Sequence, residues 1–358
     1  MEKNYDIKLG VSLYSYQDNY YFHKHDLEGC MAAAAGSGAE GIEIFADAMI
    51  PEWPYISDAW VDRWNGLLER YGLKPLCLDH FSDRAMWHDK LLTDDQMYER
   101  GVMYIKAARK LGCPTVRLLH SHHAAAIGKL DLTGPKIVER LLPVAAENNV
   151  MMALECHAPT HIADPIHEVY LEAAERLHLP YVGLQADFSS YEYCMSTADI
   201  KEFTFLGCTE EILRFVREKQ REAYRQERRF NFAEIADEVE KMHPTAMDRE
   251  ILFTRGSYHG TTYKFDGQTD PFAYGVLKDY ASRLVYIHGK FYDIDENGDV
   301  DNMDYHKIFD ALMAGGYKGY VSSEFEGNRR MNMYGWVDEI EYVRKHQLLM
   351  RRCLGRAG

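Results

Sequence analysis

Residues 150–157 read Val150-Met-Met-Ala-Leu-Glu155-Cys-His157, a short apolar run that ends abruptly in polar side chains. Such a run predicts a buried parallel strand whose C-terminal tip reaches the surface of a site. Three further segments end alike. Residues 181–187 (Tyr-Val-Gly-Leu-Gln-Ala-Asp) finish at Asp187, and residues 284–290 (Leu-Val-Tyr-Ile-His-Gly-Lys) carry His288 and Lys290. Residues 317–324 (Tyr-Lys-Gly-Tyr-Val-Ser-Ser-Glu) finish at Glu324. Each strand thus offers one metal-ligating side chain at its C-terminal end: Glu155, Asp187, His288 and Glu324. In a parallel barrel those ends converge on one face, and that face carries the chemistry.

The rest of the chain supplies the barrel. Residues 7–16 read as a first strand, and 26–37 as a helix capped by Asp26. Residues 41–45 form a second strand with Glu43 inside it, followed by a helix over 58–71 that stops at Gly72. Residues 74–80 form a third strand ending in Asp79 and His80. A helix over 93–111 opens with the capping pattern Thr93-Asp-Asp-Gln96 and stops at Gly112. Residues 115–120 form a fourth strand, and helices over 134–148 and 165–178 flank the fifth and sixth. A last helix over 336–353 follows the eighth strand. Eight strand–helix units predict an α/β fold, a single (β/α)8 TIM barrel over 1–358.

One interval breaks the rhythm. Asp187 and His288 are 101 residues apart, where a strand–helix step needs roughly 30. The surplus, 195–280, is a long insertion between the sixth and seventh strands, with helices over about 209–243 and an irregular stretch from Phe253 to Gly267. Long loops over the catalytic face of a barrel are usually lids or partner surfaces, and this one is expected to cover the site.

Composition narrows the function. The net charge of −15 lacks the basic footprint of a nucleic-acid binder. The basic run at 214–229 is interleaved with Glu and reads as a solvated helix face. Seven cysteines without paired spacing suit a reducing cytoplasm rather than a disulfide framework. The N-terminus carries no apolar export segment, and no run of apolar residues is long enough to span a membrane.

Three carboxylates and one imidazole suit a borderline-hard divalent ion, Mn²⁺ first, with Mg²⁺, Co²⁺ or Zn²⁺ as alternatives. Such an ion chelates sugar oxygens and lowers the energy of an enediolate formed beside a carbonyl. His157 lies two residues after Glu155, on the same strand face, and is placed as a general base. Lys290 shares the face of His288 and is placed to bond a substrate oxygen or a ligand carboxylate. His120, His122 and His123, at the top of the fourth strand, are candidate pocket residues. His161 and His167 read as surface residues. Residues 293–304 have the acidic spacing of a calcium loop but follow a barrel strand, and read as a polar turn.

The segments Ala-Leu-Glu155, Gln-Ala-Asp187, Tyr-Ile-His288-Gly-Lys290 and Ala-Gly-Gly-Tyr-Lys-Gly-Tyr-Val-Ser-Ser-Glu324 resemble the xylose-isomerase-like TIM barrel superfamily of sugar isomerases and epimerases. The Glu-Cys-His tip and the insertion are most similar to the larger (alpha) subunit of bacterial C-glycoside deglycosidases. That resemblance implies a Mn²⁺-type ion on Glu155, Asp187, His288 and Glu324, with His157 removing the C2 proton of a 3-oxo-glucosyl C-glycoside. The enolate then expels the aglycone by β-elimination. It also implies a small β-sandwich partner subunit, hence a hetero-oligomer. Ketose 3-epimerases of the superfamily carry a His shortly after the Asp ligand; here Asp187 is followed by Phe-Ser-Ser-Tyr. A sugar isomerase or 3-epimerase is the alternative, and the second acid–base group is not identified by the resemblance.

Overall fold

The computed structural model describes residues 6–80, 84, 91–118, 132–158, 160–255, 263–265, 268–270 and 272–356, with 253–255, 263–265 and 268–270 described by backbone alone. Eight parallel strands close into a barrel. They are Lys8–Ser12, Gly41–Phe45, Lys74–Asp79, Thr115–Leu118, Met151–Cys156, Val182–Asp187, Leu284–Phe291 and Tyr320–Phe325. The first pairs with the eighth, Lys8 beside Tyr320, and with the second, Gly10 beside Gly41. The expected (β/α)8 TIM barrel is the observed fold. The fourth strand is described to Leu118, so His120, His122 and His123 lie outside the described residues.

The helices start and stop where the capping chemistry directs. Asp26 accepts from Gly29 N at the start of the helix Leu27–Gly36. Thr93 and Gln96 form a reciprocal capping box before Asp94–Leu111. Gly72 and Gly112 end their helices at φ +65° and +74°, a backbone region that costs glycine little. Helix side chains such as Trp64, Tyr104, Leu142 and Phe309 pack against the outer face of the strands and are buried. Inside the barrel, Cys77, Ala153 and Tyr286 form a separate apolar plug beneath the catalytic end.

Two boundaries differ from expectation. The first strand ends at Ser12, and Leu13–Tyr16 turns into a 3-10 helix. Ser15 causes the turn: its hydroxyl donates to Ser323 O at 3.0 Å and accepts from Phe325 N at 2.9 Å, so the chain bends over the eighth strand. The stretch expected to be irregular supplies one strand, Tyr263–Phe265, of an antiparallel hairpin completed by Gln268–Asp270 just beyond it.

Between the sixth and seventh barrel strands the chain also forms the helices Thr197–Phe205, Glu210–Arg225, Ala236–Lys241, Ala246–Arg255 and Tyr274–Tyr280. The first four bury a hydrophobic cluster of their own that includes Phe203, Ile212, Val216 and Leu252, whereas Val276 and Leu277 of the fifth join the main core. The basic face of Glu210–Arg225 is only partly solvated. Arg214 and Arg225 pair with Glu210 and Glu218 in solvent, but Arg217 is buried and bonds Asp301 at 2.6 Å. The acidic stretch 293–304 is the polar turn expected. Asp295 accepts from the amides of Asn297 and Asp299, and Asp304 caps the helix Tyr305–Ala314. Among the described residues, no helix is long and apolar enough to cross a membrane.

His346 ties the last helix to the barrel. Its Nδ1 shares a hydrogen bond with Ser323 Oγ at 2.8 Å, and its ring stacks on Phe291 at 3.9 Å. Burial pushes this imidazole down to about 3. An unfolded chain takes up a proton at His346 below about pH 6.5, whereas the folded chain stays neutral there. The stability held by the neutral ring is therefore lost as pH falls from 6.5 toward 3. A His346→Gln variant lacks this dependence. Its free-energy difference from wild type, measured by denaturant titration, is expected to shrink by about 1.4 kcal/mol per pH unit below 6.5. A pH-independent difference would show that the site does not titrate on unfolding.

Candidate active site

The catalytic end of the barrel is a buried charge network. Glu155, Asp187, His288 and Glu324 each offer a ligand atom, and these atoms lie within 4.8 Å of one another. All four residues are almost wholly excluded from solvent. Strand register builds the group. Asp187 sits beside His288, and Glu324 beside Lys290, because neighbouring strands pair at their tips.

His288 is gripped on both sides. Its Nδ1 lies 2.6 Å from Glu155 Oε1 and 3.0 Å from Glu324 Oε2, and its Nε2 lies 3.0 Å from Glu43 Oε2. Burial alone would depress this imidazole, but the carboxylates of Glu324, Glu43 and Glu155 push its pKa well above the ordinary value. Burial also raises Glu155, but the Arg117 guanidinium and His288 outweigh it and hold the carboxyl well below the usual range. Arg117 bridges Glu155 to Asp79, which it meets at 2.5 Å. Burial lifts Asp79 to about 7 against the pull of that same guanidinium. Lys290 Nζ stands 2.9 Å from Glu324, 3.3 Å from Glu326 and 3.5 Å from Asp187. Gly327 lets Glu326 reach inward, since a Cβ there would lie 1.9 Å from the carbonyl oxygen of Tyr292.

The described charges do not balance. Six carboxylates (Glu43, Asp79, Glu155, Asp187, Glu324 and Glu326) face Arg117, Lys290 and the imidazoles of His288 and His157. Asp187 Oδ2 and Glu324 Oε2 are buried and accept no aligned hydrogen bond. Crowding six buried carboxylates around so few cations is costly, and a further cation relieves that cost. A divalent ion with ligands about 2.1 Å away spans up to about 4.2 Å between opposite donors, so a contraction of a few tenths of an ångström closes the set. The four residues could hold a metal ion.

In that arrangement Glu43 is the partner that orients the imidazole. It accepts a hydrogen bond from Nε2–H and leaves Nδ1 facing Glu155 and Glu324. Glu43→Gln is expected to weaken metal binding by about 10- to 100-fold, read by chelator competition, with the fold intact. An unchanged affinity would remove Glu43 from this role.

His157 stands at the edge of the group. Its Nδ1 lies 2.6 Å from the carbonyl oxygen of Ala158, and only an N–H can donate there. In the neutral ring the lone pair is therefore on Nε2, 3.9 Å from Asp187 Oδ2. The imidazole opens onto a cavity of about 240 Å³, lined also by Ser189, Glu192, Phe203, Glu326 and Arg330. Phe203 and its neighbour Asp199 belong to the helix Thr197–Phe205, so the chain between the sixth and seventh strands contributes to the cavity wall.

The structure thus brings Glu155, Asp187, His288, Glu324, Lys290 and His157 together. His161 and His167 depart from expectation, because both are buried rather than on the surface. His161 sits edge-on to Tyr191 at 5.3 Å, and burial pushes it down to about 3. His167 Nδ1 lies 3.3 Å from the carbonyl oxygen of Ile162 and 3.6 Å from Cys156 Sγ. Both serve packing. Sequence reasoning gave no role to Glu43, Asp79, Arg117 or Glu326. The available signal was a lone charge between apolar neighbours, as in Ile42-Glu43-Ile44 and Val116-Arg117-Leu118.

Residues 31–346 match the xylose isomerase-like TIM barrel family. The chain belongs to this family. Among its curated relatives is a C-glycoside deglycosidase alpha subunit of Arthrobacter globiformis, 29% identical over 98% of this chain and 93% of that protein. A 3'-dehydrocarminate deglycosidase alpha subunit of a Microbacterium species is 26% identical over 97% of this chain and 95% of its own. A crystal structure of a sugar phosphate isomerase/epimerase from Parabacteroides distasonis superposes with a TM-score of 0.53 at 13% identity, covering 99% of this chain and 97% of that one. That likeness shows the xylose isomerase-like barrel fold.

Proposed function

We propose that this chain is the catalytic subunit of a divalent-metal-dependent C-glycoside deglycosidase, a lyase that cleaves 3-oxo-glucosyl C-glycosides by β-elimination. One observation carries the reading. His157 presents a free Nε2 lone pair to a cavity beside the buried Glu/Asp/His/Glu group, on the strand tip that also supplies Glu155. The full-length similarity to deglycosidase alpha subunits supports it.

Glu155, Asp187, His288 and Glu324 would hold the ion, for which three carboxylates and one imidazole favour Mn²⁺. When bound, the ion supplies Lewis-acid stabilisation to negative charge that develops on oxygen beside the reacting carbon. The residues do the rest. His157 Nε2 takes the proton from C2 of the 3-oxo sugar, and the electron pair moves into the carbonyl as an enolate. Lys290, locked among Asp187, Glu324 and Glu326, keeps its ammonium charge: burial would lower its pKa, but these carboxylates hold it well above the ordinary value. It offsets part of the developing charge. The enolate then reforms the ketone, opens the bond from C1 to the aglycone carbon, and leaves a double bond between C1 and C2.

The relatives are named alpha subunits, and we take a small β-sandwich chain as the partner. Seven free, buried cysteines agree with a reducing cytoplasm. The deciding experiment incubates the protein, with any co-purifying subunit, with a 3-oxo-glucosyl C-glycoside and separately with free ketohexoses. Aglycone release is expected. Epimerised or isomerised ketose without aglycone release would favour a sugar isomerase or 3-epimerase, a reading for which the facing carboxylates of Glu155 and Glu324 around one site speak.

A further inference from the structure

The elimination needs a second acid–base group. When the bond from C1 to the aglycone breaks, its electron pair stays on the aglycone carbon, and that carbon must gain a proton. We propose that Glu192 delivers this proton, on a substrate whose aglycone is an aromatic ring. The proposal rests on the deglycosidase reading above.

Glu192 and His157 line the same cavity of about 240 Å³. The chain reaches Glu192 by a short 3-10 turn, Phe188–Tyr191, directly after the sixth strand. That turn is stapled at both ends. Asp187 Oδ1 accepts from Ser189 N at 2.7 Å, and Ser190 Oγ donates to Thr160 O at 2.9 Å. Beyond it, Tyr193 N donates to Asn302 O at 3.0 Å. The carboxyl is therefore held in place from fixed backbone. The lining joins polar groups suited to a sugar, His157, Ser189 and Glu326, with Met195 and Phe203, which suit a flat ring, and Glu192 belongs to the same lining.

The surroundings keep the carboxyl protonated. Arg330 lines the cavity, but its guanidinium already pairs with Asp199 and lies over the Tyr292 ring, 3.7 Å from the centroid. Burial pushes Glu192 up to about 8. Asp199 and Asp187 raise it further, and Arg330 and a hydrogen bond from Tyr292 oppose this. A carboxylic acid near 8 holds its proton at neutral pH and releases it to a stronger base.

The proton count closes. His157 gains the C2 proton, and Glu192 gives its proton to the aglycone carbon. Imidazolium then returns the proton to the Glu192 carboxylate through cavity water, and no oxidant or reductant is consumed. The two steps become separable when Glu192 is replaced, because removal of the C2 proton does not require it.

The test uses the full chain with any co-purifying subunit, a 3-oxo-glucosyl C-glycoside of a phenolic aglycone, and D2O. Glu192→Gln is expected to exchange deuterium into C2 of recovered substrate at the wild-type rate. Its aglycone release should fall by about 10²-fold or more, and Glu192→Asp should recover part of it. Independently of turnover, the infrared difference between wild type and Glu192→Gln should show a protonated carboxyl at pH 7 that disappears through about pH 8. Wild-type aglycone release in Glu192→Gln overturns the proposal, as does equal loss of exchange and release, or no protonated carboxyl in the difference. If wild type exchanges C2 but releases no aglycone, the deglycosidase reading itself falls. Release by wild type with an unaffected variant removes only Glu192.

Discussion

Replacement of any one of Glu155, Asp187, His288 and Glu324 is expected to remove metal and turnover together. Glu155→Gln, Asp187→Asn, His288→Ala and Glu324→Gln each delete one donor from a group spanning 4.8 Å. Loss of an orienting partner alone costs about 10- to 100-fold in affinity, so loss of a ligand should exceed that. Elemental analysis of each purified variant is the measurement. The three carboxylate substitutions should be tolerated by the fold, because they reduce a surplus of buried negative charge, whereas His288→Ala strips the imidazole from Glu43, Glu155 and Glu324 and should also lower stability. Full metal content with full activity in any two variants would end the metal assignment.

The second large effect concerns His157. His157→Ala should keep its metal, since the imidazole lies 3.9 Å from Asp187 and outside the four-residue group. Turnover should fall by about two to four decades, the usual worth of a positioned general base. Deuterium exchange at C2 should fall with it, which separates this variant from Glu192→Gln. Wild-type exchange in His157→Ala would transfer the base to another residue. Loss of metal with activity would make His157 a ligand support.

The barrel was legible because four of its strands announce themselves twice, by an apolar run and by a polar residue near its end, and the strand–helix rhythm supplies the rest. Glu155, Asp187, His288 and Glu324 were readable for the same reason. Each closes such a run, and sheet register then does the assembly without further instruction. What lay hidden depends on contacts across the barrel. Glu43 and His288 are 245 residues apart in sequence, and Arg117 reaches both Asp79 and Glu155 across 38. No local pattern records a pairing of that kind. His161 and His167 misled for a related reason. Both follow a polar strand tip, where exposure is the default, but Tyr191 and Cys156 close over them. The turn at Leu13–Tyr16 was hidden because apolar residues continue past Ser12, and only the bonds of Ser15 to the eighth strand stop it.

The seam between the first and eighth strands has a consequence for the life of the protein. Glu43 stands one strand beyond that seam, yet it steadies a histidine on the seventh strand, so the group is complete only after Lys8 has paired with Tyr320. With the seam open, the fifth to eighth strands still carry the four ligands side by side, but His288 lacks Glu43; with it closed, the imidazole is oriented as well. A bound ion would therefore favour the closed form by the 10- to 100-fold that an orienting partner is worth, about 1.4 to 2.7 kcal/mol. Supply of the ion would then act on abundance as well as on rate. In a metal-starved cell the seam would open more often and expose the chain to proteases.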